Sequence, residues 1–162
     1  MKKNIYKFLV CGIISAMAFF STALADYDEA KAAYDARDFD KAFDGFTQAA
    51  EEGHMMAQYY LGVMYATGRT VERDDVSAYK WFMQAALQGH PIAQGNIGTM
   101  KLNARGTEED VKGAHFWFAI SEAGGFEKSR KFKWRMTNFM TRSEIQASEA
   151  RAEAWIENNI KK

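Results

Sequence analysis

The sequence predicts an all-α solenoid of stacked helix-turn-helix units, closed at its C-terminal end by a capping helix. Two observations predict this fold: identical residues recur every 36 positions, and apolar residues inside each block follow helical spacing. The composition agrees, because the 162 residues include one proline and are rich in alanine, methionine and aromatics, which favours helix over sheet.

The repeat is visible as residues that stay identical when the sequence is shifted by 36 positions. The four triplets are Asp38/Asp74/Asp110, Ala42/Ala78/Ala114, Phe46/Phe82/Phe118 and Gly53/Gly89/Gly125. A fixed period of this size is typical of solenoids, in which each helical hairpin buries its apolar side against its neighbours.

Each block contains one helix between the aspartate and the glycine. Ala42, Phe46 and Ala49 fall at i, i+4 and i+7, on one stripe of a helix. The aspartate before the stripe can accept hydrogen bonds from free N–H groups, and the glycine after it can adopt a left-handed C-terminal cap. A second stripe that includes Ala57 and Leu61 predicts the first helix of the following unit.

The stripes and the turn residues together predict eight helices. They lie near residues 28–36, 39–52, 55–66, 75–88, 91–103, 111–123, 126–139 and 142–159. The last helix leaves the 36-residue period and begins with a capping box, Thr141 to Glu144. We expect it to cover the exposed end of the stack, as solenoids require.

The same residues resemble a known family. They are Ala57-Gln58-Tyr59-Tyr60-Leu61-Gly62-Val63-Met64-Tyr65, then Gly68, Val71, Asp74, Ala78, Trp81-Phe82, Ala85-Ala86 and Gln88-Gly89. This stretch resembles the Sel1-like repeat, a relative of the tetratricopeptide repeat with a longer loop between its helices. The resemblance covers most of residues 27–140, and it is best over 54–89 and 90–125. It implies protein–protein interaction, often in envelope signalling, envelope assembly or interbacterial competition.

Residues 1–25 are predicted to be a cleavable bacterial signal peptide. Three lysines precede an apolar run from Phe8 to Phe20, and Ala23-Leu24-Ala25 is an A-x-A site with cleavage after Ala25. The run is shorter than the roughly 20 residues of a membrane-spanning helix, although an uncleaved anchor is the alternative. We therefore expect a periplasmic protein that is not stably inserted in the membrane once the signal is removed.

The predicted organisation has three parts, which are the signal peptide, a repeat solenoid over 26–140, and a capping helix with a tail over 141–162. Without residues 1–25, 18 of the 21 basic residues remain with all 21 acidic ones, a formal charge of −3. This balance argues against a general nucleic-acid binder, which would be strongly basic. The only cysteine, Cys11, lies in the signal, so the exported chain has none. We also expect the exported protein to be a monomer.

No familiar catalytic motif occurs in the sequence, and no cofactor or metal is expected. There is no H-E-x-x-H, nucleophile elbow, P-loop or Rossmann glycine pattern. His54 and His90 lie one period apart in equivalent turns, where they could share a metal; capping of helix ends is the preferred interpretation. Trp81-Phe82 and Trp117-Phe118 occupy core positions of the repeat, so packing is preferred over an aromatic binding box.

Two groups of residues are candidates for protein binding. Tyr59 and Val63 are predicted to point away from the buried stripe of their helix, and Thr99 is the equivalent of Val63 one unit on. The second group is the basic and aromatic segment 128–135. The candidate residues are Tyr59, Val63, Thr99, Lys128, Lys131, Trp134 and Arg135. A concave groove, apolar at one end and basic at the other, would suit an amphipathic peptide with an acidic flank. For the basic residues alone, the alternatives are a solvated helix face, or docking to an acidic protein surface or lipid headgroups.

The leading hypothesis is a non-catalytic periplasmic scaffold that binds a partner protein or peptide on a concave helical surface, in envelope signalling or assembly. A narrower alternative is an immunity protein that neutralises a toxin delivered to the periplasm. A further alternative is an enzyme acting on the cell wall or on β-lactams. The absence of cysteines and of a nucleophile constellation counts against it.

Overall fold

The computed structural model describes residues 26–159, and every regular element in that range is helical. α1 occupies residues 26–35 of this range. The following elements are α2 Phe39–Glu51, α3 Met55–Thr67, α4 Asp75–Leu87, α5 Pro91–Leu102, α6 Val111–Ala123, α7 Lys128–Met136, a 3-10 turn Thr137–Phe139 and α8 Arg142–Asn159. The all-α prediction is thus confirmed for these residues. The predicted signal peptide lies outside the described residues.

One predicted helix differs in its course. The sequence predicts a single helix near 126–139, whereas α7 covers nine residues and continues as a 3-10 turn. At the junction, the Thr137 side-chain hydroxyl donates a hydrogen bond to the backbone oxygen of Trp134 at 2.7 Å. Such a local side-chain bond competes with the α-helical pattern, which accounts for the tighter turn.

The repeated aspartates and glycines bound the second helix of each block. Asp74 Oδ1 accepts hydrogen bonds from the backbone N–H groups of Val76 and Ser77 at 2.9 and 3.1 Å. Asp38 and Asp110 cap α2 and α6 in the same way. Gly53, Gly89 and Gly125 have φ of 94°, 96° and 99°. Both predicted caps are therefore confirmed.

The described chain divides into two compact units, residues 26–58 and 59–159. In the first unit, α1 and α2 enclose the fully buried Phe46. The rings of Tyr27 and Tyr34 each have their centroid 6.0 Å from the centroid of Phe46. This aromatic cluster supplies the core of the first unit.

In the second unit, successive helices pack against one another, α4 on α5 and α5 on α6, while α7 and α8 both pack on α6. Glycines allow the close approach of the repeat helices. A Cβ at Gly62 would lie 2.5 Å from the Phe82 ring, and one at Gly98 would lie 2.8 Å from the Phe118 ring. The repeated spacing of glycine and phenylalanine along the chain therefore reflects packing, because the phenylalanine ring of one helix lies on the glycine of a neighbouring helix.

A buried glutamine repeats the same contact in both units. Gln58 Nε2 donates a hydrogen bond to the backbone oxygen of Ala50 at 3.2 Å. Gln94, 36 residues later, donates to Ala86 at 3.1 Å. Each bond is a second hydrogen bond to a carbonyl at the helix end, which also accepts from the N–H of the turn glycine, Gly53 or Gly89. The repeat in sequence is thus also a repeat in hydrogen bonding.

The C-terminal helix α8 begins with the predicted capping box. The Thr141 N–H donates to Glu144 Oε2 at 2.8 Å, and the Glu144 N–H donates to Thr141 Oγ1 at 3.4 Å. Lys112 on α6 forms an ion pair with Glu144 at 2.7 Å. The hydrogen bonds from Lys112 and Thr141 lower the pKa of Glu144 to about 2. These contacts fix the start of α8 against α6.

Candidate functional site

A cavity of about 300 Å³ lies between helices of the second unit. Its walls come from the C-terminal part of α3, from α4 and α5, and from the loop after α5. The lining residues are Tyr59, Val63, Ala66, Thr67, Phe82, Asn96, Thr99, Met100 and Arg105. We call it the α3–α5 cavity. It contains all three predicted binding residues from the first helices of the repeats, namely Tyr59, Val63 and Thr99.

Tyr59 and Val63 are half-buried and form walls of this cavity. The Tyr59 ring stacks on His90, with centroids 4.4 Å apart and planes inclined by 14°. Its centroid also lies 6.0 Å from that of Phe82. The turn before α5 therefore holds the tyrosine in place, and the sequence does not reveal that contact.

His90 has a second role in the same turn. Its Nδ1 accepts a hydrogen bond from the backbone N–H of Ala93 at 3.1 Å, which caps the start of α5. His54 accepts in the same way from Ala57 at 3.3 Å. Burial lowers the pKa of both imidazoles, which favours the neutral form that can accept these bonds. The preferred interpretation of the two turn histidines, capping, is confirmed.

Arg105 is a charged wall of the cavity that the sequence analysis did not identify. Its guanidinium forms a two-pronged ion pair with Asp75 at the start of α4, with nitrogen–oxygen distances of 2.6 and 3.2 Å. Hydrogen bonds from Arg105, and then from Arg73, hold the pKa of the Asp75 carboxyl well below its usual range. The available signal in the sequence was Gly106, which lies two residues later than the 36-residue period from Gly68 would place it. A Cβ at Gly106 would overlap the backbone oxygen of Asp75. The loop after α5 therefore lies directly on the start of α4.

The predicted groove does not continue from the cavity to the basic segment. Gly95 occupies the Tyr59 position one unit on, and it is buried. A Cβ at Gly95 would lie 3.1 Å from both the Phe126 ring and the Ser129 hydroxyl. Phe126 is the repeat equivalent of His90, so its ring covers the place where a second tyrosine would stand.

The basic candidates lie on α7, and none of them lines the α3–α5 cavity. Lys128, Lys131, Trp134 and Arg135 are exposed there, and we call this set the α7 basic face. Two further cations of the same helix share one acidic partner. Glu122 on α6 binds Arg130 at 2.7 Å and Lys133 at 2.6 Å.

Glu122 is ionised in this arrangement. Burial raises its pKa, but the hydrogen bonds from Lys133 and Arg130 outweigh burial and leave the pKa below its ordinary value. By contrast, within residues 26–159 no ion pair is formed by Lys128, Lys131 or Arg135. The segment 128–135 contains five basic residues, and three of them have no ion-pair partner in the described part of the chain.

His115 is the one histidine outside the turns. It is fully buried on α6, and its Nδ1 lies 2.9 Å from the Ser148 hydroxyl of α8. Its Nε2 is buried without a hydrogen-bond partner among the residues that the structure describes. The ring therefore joins α6 and α8 inside the second unit.

Across residues 26–159, no group of three or more His, Cys, Asp or Glu side chains is placed to hold a metal ion. No helix in that range is both long and apolar enough to cross a membrane. Phe82, Trp117 and Phe118 are buried, so these three aromatics serve packing, whereas Trp81 is half-buried.

Comparison with known proteins finds a family model and several solved structures that match the helical region. The family model for the Sel1 repeat matches residues 33–54, 56–90 and 91–126. A solved Sel1 repeat protein from Oxalobacter formigenes is 30% identical, with a TM-score of 0.66, over 74% of this chain and 96% of that chain. A protective antigen of uropathogenic Escherichia coli strains, which displays an SLR fold, is 25% identical with a TM-score of 0.77.

The match to the antigen covers 83% of this chain but 30% of that chain, so this chain spans about a third of the antigen's length. No curated protein matches the chain. The likeness to both solved structures confirms the predicted fold class, an α-solenoid of stacked helical repeats.

Proposed function

Because this chain belongs to the Sel1 repeat family, whose members are generally non-catalytic scaffolds for protein–protein interaction, we propose that it binds an extended segment of a partner protein in the α3–α5 cavity. The observation that carries the proposal is the composition of the walls. An apolar floor, an amide and a cation converge on one recess between adjacent repeats.

The floor of the cavity suits one apolar side chain of the partner. Val63, Phe82 and Met100 contribute apolar surface, and a volume of about 300 Å³ is at the lower end for ligand sites. A recess of this size accommodates one or two side chains rather than a whole drug-sized molecule. Methionine adapts its shape to different guests, so Met100 widens the range of side chains that fit.

The rim suits a peptide backbone and an acidic neighbour. The side-chain amide of Asn96 makes no hydrogen bond among residues 26–159, so it can donate to a carbonyl and accept from an N–H of an extended peptide. The Thr99 hydroxyl donates to the backbone oxygen of Gly95 at 3.0 Å and still has acceptor capacity. Arg105 adds positive charge, partly offset by Asp75.

The proposal places both the scaffold and its partner in the periplasm, where it would serve envelope signalling or assembly. The support is the signal-like pattern of residues 1–25. Expression of the full chain in a bacterium, followed by osmotic shock and mass spectrometry of the released protein, should find Asp26 as the first residue.

The test of binding is selection of peptides from a random displayed library with the chain from Asp26 to Lys162. We expect enriched peptides to share an apolar residue with an acidic residue nearby. Val63→Lys, which places a charge in the apolar floor, should weaken the selected peptides at least tenfold by calorimetry. Asn96→Ala should weaken them several-fold through loss of the backbone contact.

The matched control is Val76→Lys on α4, because Val76 is 51% exposed and lies outside the cavity lining. This variant should bind the selected peptides as the parent does. Circular dichroism melts of all three variants separate loss of binding from loss of fold. Failure of the library to yield any peptide, or equal affinity of Val63→Lys and Val76→Lys, would contradict the proposal.

A further inference from the structure

The outer side of α7 presents cations and aromatic rings together. Ser129 and Met136 are buried and mark the inner side of the helix. Helical spacing places Lys131, Trp134 and Arg135 on the opposite side, in agreement with their exposure. Lys128 precedes them by one turn, so the cations extend over about 10 Å of helix.

Two aromatic residues of this segment are largely exposed. Trp134 is 66% exposed and Phe139, in the following 3-10 turn, is 73% exposed. Isolated exposed apolar residues are ordinary, but here two large rings flank three available cations on one short segment. Phe132 differs, because its ring stacks on Phe118 with centroids 5.4 Å apart, which anchors α7 to α6.

The ion pairs between α6 and α7, and not the composition of the chain, decide which cations of this surface remain unpaired. Glu122 forms ion pairs with Arg130 and Lys133, which lie nearer to α6, and Lys128, Lys131 and Arg135 remain available on the outer side. The formal charge of the chain after residue 25 is −3, so attraction to an anionic surface would have to come from this local face. The paired inner cations hold the helix in place while the outer cations face solvent.

We propose that the α7 basic face, together with Phe139, binds an anionic phospholipid surface. Lys and Arg near a membrane are attracted to acidic headgroups, while tryptophan and phenylalanine enter the boundary between headgroups and acyl chains. The side chains are exposed along one helix and the turn after it, which suits a soft, flat lipid surface better than a shaped protein epitope. The chain lies on the surface without crossing it, and the α3–α5 cavity, built from other residues, stays open to a protein.

The experiment measures co-sedimentation of the chain from Asp26 to Lys162 with vesicles of phosphatidylcholine alone and of phosphatidylcholine mixed with phosphatidylglycerol. We expect binding to the mixed vesicles only, and loss of binding at high salt because salt screens exposed charges. Lys131→Glu/Arg135→Glu should weaken binding at least tenfold. Trp134→Ala should weaken it several-fold while leaving the salt dependence unchanged.

The matched control is Lys80→Glu against Lys131→Glu, since Lys80 is also an exposed lysine within a helix of the second unit. Lys80→Glu should bind as the parent does. A further arm replaces the vesicles with soluble polyglutamate. We expect a blue shift of tryptophan emission with mixed vesicles, absent in Trp134→Phe, and no shift with polyglutamate.

Three outcomes would overturn the proposal. One is absence of binding to the mixed vesicles at low salt. Another is equal loss of binding in Lys80→Glu and Lys131→Glu, which would make the effect one of net charge. The third is binding of polyglutamate as tightly as of vesicles, with Trp134→Ala unaffected, which would indicate docking to an acidic protein surface instead.

Discussion

His115 is a buried imidazole on α6 with one hydrogen-bond partner, Ser148 on α8. Burial lowers its pKa, against a weaker opposing influence of Glu149 on α8; Lys133 on α7 acts in the same direction as burial. The folded protein therefore holds the ring neutral, because a proton on Nε2 would be a buried charge without a partner. In the unfolded chain the same ring takes up a proton near pH 6.5.

This difference predicts that the protein loses stability as the pH falls from about 7 toward 5. Below about pH 6.5 the unfolded state binds a proton at His115 that the folded state excludes, and this favours unfolding. His115→Gln keeps a hydrogen-bonding group but does not titrate, so its free energy of unfolding should depend less steeply on pH. Urea unfolding at several pH values measures both slopes, and equal slopes would show that His115 does not contribute. His54 and His90, whose pKa values are also lowered, contribute to the dependence that remains, and carboxyl groups with lowered pKa values such as Glu144 add to it toward lower pH.

At the scale of helices, the spacing between α3 and α4 is set by a ring lying on a glycine. Gly62 faces Phe82, and the same relation recurs one unit later between Gly98 and Phe118. Tertiary packing here overrides helix propensity, since a glycine inside a helix costs about 1 kcal/mol relative to alanine. The close contact of helix and ring offsets that cost.

Gly62→Ala should therefore destabilise the protein, although alanine is the better helix former. Its Cβ would lie 2.5 Å from the Phe82 ring, and such overpacking costs about 1–3 kcal/mol. Phe82→Leu removes the ring edge, so in the double variant the alanine should cost at least about 1 kcal/mol less than it does alone. Denaturant unfolding of the two single variants and the double variant measures this coupling. Strictly additive effects would contradict the packing relation.

At the scale of the whole molecule, the repeated architecture needs an end, and α8 supplies it for the second unit by packing on α6. Phe116 of α6 is buried, with the Arg151 guanidinium 4.8 Å above its ring. Ser148 and Ala152 are the buried residues of α8. No further repeat packs on α6 in the second unit. The helix α8, whose outer face is polar, therefore shields the apolar side of α6 from water.

A charge inside the α6–α8 contact should undo this cap. Ala152 is 3% exposed, so Ala152→Asp should lower the free energy of unfolding by about 3 kcal/mol. Ala154→Asp, two residues along the same helix at an exposed position, should change it by less than about 0.5 kcal/mol. Thermal melts and binding of a dye that reports exposed apolar surface compare the two variants. Similar behaviour of both would show that α8 does not protect α6.

The repeat and the helix ends were predictable because they depend on residues close together in the chain. Asp74 caps a helix that begins at the next residue, and Gly89 ends that helix with a local left-handed turn. The break after Met136 was not predicted, since it depends on a hydrogen bond from Thr137 that competes weakly with helix continuation.

The candidate site was predictable only in part. Tyr59, Val63 and Thr99 share a wall because the 36-residue period places equivalent residues side by side. The contribution of Arg105 was missed, because its ion pair with Asp75 joins residues 30 positions apart through a loop that departs from the repeat.

The sequence by itself determined the number and order of the helices, most of their boundaries and the family to which they belong, because periodicity and capping act over a few residues. The tertiary structure alone decided which charges remain available and which surfaces are open. Glu122 forms ion pairs with two of the cations on α7. Phe126 occupies the space next to Gly95 that would have extended the cavity. Both effects arise between side chains on different elements, where distance in space and not spacing along the chain sets the interaction energy.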